Sequence, residues 1–226
     1  MSLTEEDRFR SALVGATGRG IPTPAETRIL LMFAHYAAVV EANRRFNLTR
    51  IIDPAEAAVK HFADSISLLG WMGSAGVRVA SVLDVGTGAG FPAIPLAVMR
   101  PDWRVTAIDS TAKKVRFVTT VCARLELKNL CAEHRRAGQW KPAKRFDLVT
   151  LKAVGNLRKC VEQSRMLLKR NGYAVAYKTG AVSDQEREAG RDAARHHRFE
   201  ALQPYAYRLR LGDEIIERTL WVFRKL

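Results

Sequence analysis

The chain has 226 residues, 47% hydrophobic and 27% charged, which excludes a disordered chain, a collagen-like fibre and a disulfide-dense miniprotein. Lys and Arg number 37 against 23 Asp and Glu, a net charge of +14. That balance points to a polyanionic partner, although an Arg-rich compositional bias with no partner would give the same number. Cys122, Cys131 and Cys160 form no CxxC pair, so they are expected to be reduced and mostly buried, holding neither a disulfide framework nor a metal. The N-terminal MSLTEEDRFR has no apolar core of a secretory signal. The uncharged apolar run Ile29–Val40 is too short to span a bilayer. A cytoplasmic protein without membrane contact is expected.

Residues 1–80 read as a helical extension and 81–226 as an α/β core, the two forming one compact domain. Thr23-Pro24-Ala25-Glu26 has the spacing of a capping box with Pro at the first helical position, and predicts a helix with Ile29, Phe33, Ala37 and Val40 inward. Asp53-Pro54-Ala55-Glu56 repeats that start signal for a second helix. Its stripe is Val59, Phe62, Ile66 and Leu69, and Gly70 to Gly76 should end it. Strands are predicted at Ser81–Val85, Arg104–Ile108, Leu130–Glu133, Asp147–Leu151 and Gly172–Lys178. Between them fall helices at Pro92–Met99, Ala112–Leu125, Asn156–Leu168 and a polar one at Ser183–Arg195. A final hairpin, Tyr205–Arg210 and Glu217–Phe223, turns at Gly212-Asp213. Alternation of this kind predicts a mostly parallel seven-stranded sheet covered by helices.

The most informative stretch is Leu83-Asp84-Val85-Gly86-Thr87-Gly88-Ala89-Gly90-Phe91-Pro92, between a strand and a helix. Glycines permit positive φ and close approach of a ligand, and open α/β sheets bind ligands at the carboxyl ends of their strands. Asp109 ends the next strand, where a carboxylate can accept two ribose hydroxyls. The spacing is GxGxG rather than GxGxxG, so the turn resembles the S-adenosylmethionine (AdoMet) turn of Rossmann-like methyltransferases. A dinucleotide site or an empty glycine turn stays open on the turn alone. The closing hairpin favours the methyltransferase fold, because a dinucleotide domain continues with parallel strands.

Four stretches together resemble the bacterial 16S ribosomal RNA guanine-N7 methyltransferase G family, also called glucose-inhibited division protein B. They are Phe46-Asn47-Leu48-Thr49 with Lys60-His61-Phe62-Ala63-Asp64-Ser65; Asp84 through Pro95; Asp109-Ser110 with Lys113-Lys114-Val115-Arg116-Phe117; and Tyr177-Lys178-Thr179-Gly180. The resemblance covers about residues 25–225. It implies AdoMet as cofactor and 16S rRNA of the small ribosomal subunit as partner, with guanine 527 of the 530 loop as target. It implies that Gly86, Thr87, Gly88, Phe91, Asp109, Ser110, Ala137, Gly138 and Lys152 line the cofactor site. Lys152 stands where the family usually has Arg, keeping the charge but losing the planar fork. His61, Asp64 and Lys178 are candidates for positioning the reaction, with no certain catalytic residue and no metal.

Guanine N7 carries a free lone pair and no proton, so methylation there needs positioning and desolvation rather than a general base. Two absences agree with this: no Asn-Pro-Pro-Tyr-like tetrapeptide follows the fourth strand, where Thr150–Val154 stands, and no Pro-Cys pair offers a nucleophile. Asn47, Lys113, Lys114, Arg116, Arg135 and Arg136 are candidates for RNA contact, against the plain reading of a solvated surface. For His61 and Asp64 the plain reading is a His–Asp pair fastening the N-terminal helices to the sheet. Arg187, Arg191, Arg195 and Arg198, interleaved with acids, read as a solvated helix face with i,i+4 pairs. A small-molecule methyltransferase, a methyltransferase for another RNA, and a non-catalytic protein binding AdoMet and RNA remain alternatives. A monomer is favoured.

Overall fold

The computed structural model describes residues 3–18 and 20–226. Helix α1 (Glu5–Ala16) starts at Thr4, whose hydroxyl accepts from the Asp7 amide while the Asp7 carboxylate accepts from the Thr4 amide. Helix α2 runs Glu26–Asn43. It starts after Ala25, and Thr23 makes no cap; its hydroxyl bonds Thr17 instead. The buried face of α2 is Ile29, Met32, His35, Tyr36, Ala38 and Val39, so the expected stripe is rotated and Ala37 faces solvent. α1 crosses that face, and Phe9 packs against Phe33, Tyr36 and Phe62.

The third helical segment begins as expected. Asp53 caps α3 (Pro54–Ala57) by accepting from the Glu56 amide at 3.0 Å. The chain then makes a π-helical turn, Ala58–Ala63, and continues as α4 (Asp64–Ala75). Gly70 does not end this helix: a Cβ there would lie 1.9 Å from the Gly20 carbonyl oxygen, so the missing side chain admits a crossing backbone. The helix stops at Gly76, in the left-handed region at φ +63°.

The core alternates β1 (Ser81–Val85), α5 (Ala93–Met99), β2 (Arg104–Asp109), α6 (Ala112–Arg124), β3 (Leu130–His134), β4 (Phe146–Lys152), α7 (Leu157–Ser164), β5 (Leu168–Thr179) and α8 (Asp184–His196). It ends with β6 (Phe199–Ala201), β7 (Tyr205–Leu211) and β8 (Glu214–Lys225). The sheet has eight strands, not seven, in the order β3-β2-β1-β4-β5-β8-β6, with β7 also paired to β8. The short β6 was not expected; it shares one edge of β8 with β7, pairing at Phe199–Ala201 where β7 has not yet begun. Strands β1 to β5 are parallel and β8 runs antiparallel to β5.

Helix α7 is shorter than its apolar pattern suggested. Leu168 belongs to β5, pairing with Phe146, because the chain must reverse direction to rejoin the sheet. The sheet separates two apolar layers. One joins α1, α2, α4 and α5 to Val82, Leu148, Val175 and Leu220; the other joins α7 and α8 to Leu83, Val149, Leu151 and Ala176. Cys122 and Cys160 are buried, and burial pushes both thiols up to about 11; Cys131 is exposed because β3 lies at the sheet edge. No helix among the described residues is long and apolar enough to cross a membrane, and no cluster of metal-ligating side chains occurs among them.

Candidate active site

All five residues of β1 are buried. The strand delivers Asp84, 0% exposed, to the base of the glycine turn, where Thr150 of β4 donates to its Oδ1 at 2.9 Å. Burial raises the Asp84 carboxyl to about 6, although hydrogen bonds oppose that rise. Its Oδ2 and the Thr87 hydroxyl are both buried beside each other at the base of the turn. The turn folds because Gly86, Gly88 and Gly90 adopt φ of +72°, +57° and +93°. Amides of Gly86 and Thr87 donate to the Ile108 carbonyl, pinning the turn to the end of β2. A Cβ at Gly88 would meet nothing closer than 3.9 Å, so this backbone faces open space.

Asp109 ends β2 and is 6% exposed. Its Oδ2 accepts from the Gly88 amide at 3.0 Å and its Oδ1 from the Thr111 amide at 2.8 Å. These bonds hold the carboxylate at the mouth of the turn with lone pairs to spare. Ser110 follows, its carbonyl 2.9 Å from His134 Nε2, and the Arg135 amide donates to the Asp109 carbonyl. The expected cofactor residues Gly86, Thr87, Gly88, Phe91, Asp109 and Ser110 thus lie together at the carboxyl edge of β1 and β2. Ala137 and Gly138, after β3, border a cleft of about 1060 Å³ that reaches Trp140, Lys141, Arg158 and His196.

His61 and Asp64 sit above this edge but do not bond each other. The His61 ring stacks on Phe91, centroids 4.6 Å apart, with Nε2 2.9 Å from the Thr49 hydroxyl. Burial, reinforced by the Lys152 ammonium, depresses its pKa to about 3, so the ring is neutral. Asp64, 3% exposed, pairs with Lys152 Nζ at 2.7 Å and accepts from the Tyr207 hydroxyl at 2.7 Å. Arg218 Nε lies 3.5 Å from it. Lys152 also donates to the carbonyls of Lys60 and His61 in the π-helical turn, at 3.2 and 3.4 Å. The fastening of helix to sheet is therefore carried by Asp64 with Lys152, Tyr207 and Arg218, not by a His–Asp pair. Lys178 lies on the other face of the sheet, donating to the Gly155 carbonyl and to Glu186 of α8. The structure does not bring it to His61 and Asp64.

Among the basic candidates, Lys113 stacks its ammonium 3.9 Å from the Phe46 ring centroid, which draws it beside the loop carrying exposed Asn47. Arg116 lines the same groove between α2 and α6, and Lys114 is half-buried. Arg135, exposed, pairs with Glu133; Arg136 is exposed. On α8, Arg187, Arg191 and Arg195 pair with Asp184, Glu188 and Asp192 at i,i+3 rather than the expected i,i+4 spacing; Arg198 lies beyond the helix end. Sequence reasoning missed His35, Thr150, Tyr207 and Arg218. A histidine at the buried phase of an apolar helix and a threonine between Val149 and Leu151 in β4 were the available signals; the pairing of Asp64 with β7 and β8 left none.

A glycine turn at the carboxyl edge, an acid ending the second strand and an antiparallel closing strand define an AdoMet-dependent methyltransferase. Solved structures agree on the fold. N-methyltransferase NodS from Bradyrhizobium japonicum, in complex with S-adenosyl-L-homocysteine, superposes with TM-score 0.56 at 18% identity, covering 83% of this chain and 98% of that one. A SAM-dependent methyltransferase from Methanosarcina mazei gives 0.53 at 14%, covering 69% and 97%. The family model described as GidB, rRNA small subunit methyltransferase G, matches residues 29–208. Proteins named ribosomal RNA small subunit methyltransferase G are similar to this chain. The one from Microcystis aeruginosa is 42% identical over 151 residues, covering 63% of this chain and 67% of its own length. The one from Bacillus velezensis is 35% identical over 195 residues, covering 84% and 80%. The chain belongs to the GidB family.

Proposed function

We infer that the protein transfers the methyl group of AdoMet to N7 of a guanine in 16S rRNA of the small ribosomal subunit. The observation that carries this reading is the glycine turn with Asp109 at its mouth, its Oδ2 on the Gly88 amide, in a chain of this family. The donor set fits the cofactor. Asp109 would hold the ribose, Ser110, Ala137 and Gly138 the adenine side, and Gly86, Thr87, Gly88 and Phe91 the remainder. Bound AdoMet supplies an electrophilic methyl on a sulfonium. The residues around it need only align the acceptor and exclude water.

The two side chains above the cofactor edge agree with this chemistry. His61 is neutral and occupied by Thr49, and Asp64 is saturated by Lys152 and Tyr207. With its pKa depressed to about 3, His61 is too weak a base to take a substrate proton, and guanine N7 has none to give. Lys152 would act by holding Asp64 and the π-helical turn, a role a single ammonium can fill. Lys178 would position α8 rather than the reaction. Asn47, Lys113, Lys114, Arg116, Arg135 and Arg136 would contact RNA phosphates around the cofactor edge, giving salt-dependent affinity. Residues 1–80 would act as an extension of one compact unit, in a cytoplasmic monomer.

Comparing acceptors tests this reading. Small ribosomal subunits should accept labelled methyl, while low-mass nucleosides and amines should not. Transfer to the small molecules alone would replace the RNA reading with the small-molecule alternative.

A further inference from the structure

Phe91 is gripped by two histidines from different parts of the N-terminal extension. His61, in the π-helical turn, stacks on it at 4.6 Å with rings 19° apart; His35, in α2, stacks at 4.7 Å and 30°. His35 is fully buried, and its Nε2 lies 2.8 Å from the Ala89 carbonyl oxygen, inside the glycine turn. That oxygen accepts, so Nε2 carries the proton, and Nδ1, which has no partner among the described residues, keeps its lone pair. The contact is close-fitting: a Cβ at Gly90 would come within 3.3 Å of His35 Nε2 and 2.5 Å of Ile94 Cδ1.

We propose that His35 is a positioning residue for methyl transfer, setting the conformation of the cofactor turn through the Ala89 carbonyl and the Phe91 ring. With its carbonyl held by His35, the Ala89–Gly90 peptide has one orientation, and the Gly90 and Phe91 amides close on the Thr87 carbonyl at 2.8 and 3.0 Å. Gly88, the residue before, keeps its amide on Asp109. The ring stack fixes the far end of the turn, and a buried polar contact of this kind costs its full desolvation if one partner is removed. The N-terminal extension would thereby shape the cofactor site directly. The proposal rests on reading the glycine turn as the cofactor site.

The test is a set of His35 variants of the full chain, measured for AdoMet binding by calorimetry and for KM of AdoMet and of small subunits separately. His35→Leu removes the donor and the ring at similar volume and should weaken AdoMet binding about tenfold or more. KM for the subunit should stay within about twofold, because no RNA candidate touches His35. His35→Gln restores an amide donor for the Ala89 carbonyl and should recover most of the affinity. Unchanged AdoMet affinity in His35→Leu overturns the proposal. So does a parallel rise of both KM values that Gln does not rescue, since general loosening would produce it. If His35→Leu does not fold, His35→Phe keeps the ring stack and removes only the donor to the Ala89 carbonyl. An AdoMet-selective loss there supports the proposal, and unchanged affinity overturns it. Asp109→Asn separates the two readings: if it too leaves AdoMet affinity unchanged, the assignment of the turn fails, not the role of His35 within it.

Discussion

Asp64 offers the most informative perturbation. Its carboxylate is 3% exposed and sits between Lys152 at 2.7 Å, Arg218 at 3.5 Å and the Tyr207 hydroxyl at 2.7 Å. The two cationic side chains are themselves only 15% and 13% exposed. Asp64→Ala therefore leaves two nearly buried cations facing each other with no counter-charge, which costs about 3–5 kcal/mol. In a chain of this length about 1 kcal/mol moves Tm by about 2–4 °C, so Tm should fall by roughly 6–20 °C. Asp64→Asn keeps the volume and an acceptor for Tyr207 and should lose less. Because the pair is shielded from solvent, the loss should persist in high salt. Circular dichroism melts at pH 7 in low and high salt measure this. A loss below about 1 kcal/mol, or one abolished by salt, would refute the view that this network joins the π-helical turn to the sheet.

Three further outcomes are expected. Asp109→Asn replaces one acceptor by a donor facing backbone amides, so AdoMet affinity should fall about 10- to 100-fold by titration calorimetry. Lys152→Arg keeps the pair with Asp64 and brings additional N–H donors for the Lys60 and His61 carbonyls, so activity and Tm should change little; a large loss of either would contradict the bonding seen for Lys152. Stability should also fall as pH drops from about 6.5 toward 4. Burial depresses His35 to about 4, and burial with Lys152 depresses His61 to about 3, so each contributes stability that is whole above about pH 6.5 and lost as it protonates. Asp84, raised by burial to about 6, has the opposite sign: its contribution is present below about pH 3.8 and lost as pH rises through 6. Two histidines outweigh one acid. Denaturant melts across that range should therefore be flattened by His35→Leu and steepened by Asp84→Asn.

The alternation of strands and helices, the glycine turn and Asp109 were legible because each is written in adjacent residues. Ser81–Val85 has the predicted bounds, and the final hairpin turns at Gly212-Asp213 as predicted, with its strands running closer to the turn than expected. Misreadings arose where a distant element decides. Gly70 looked like a helix terminator, but its purpose is set by Gly20, fifty residues earlier. Thr23 had the spacing of a cap, but its hydroxyl found Thr17. The turn of helix at Ala58–Ala63 widens where Lys152 reaches in for two carbonyls, and no local periodicity marks that. For the site, the polar positions His61 and Asp64 could be named from sequence, but not their partners. Tyr207 lies 143 positions from Asp64, and only the folded sheet joins them.

The most direct test is to incubate the protein with labelled AdoMet and small ribosomal subunits lacking the native mark, then map the label by strand scission at 7-methylguanine. One labelled guanine, methylated at N7, is the expected result. Label on a different atom or on several bases, or no label from protein that binds AdoMet normally, would contradict the account.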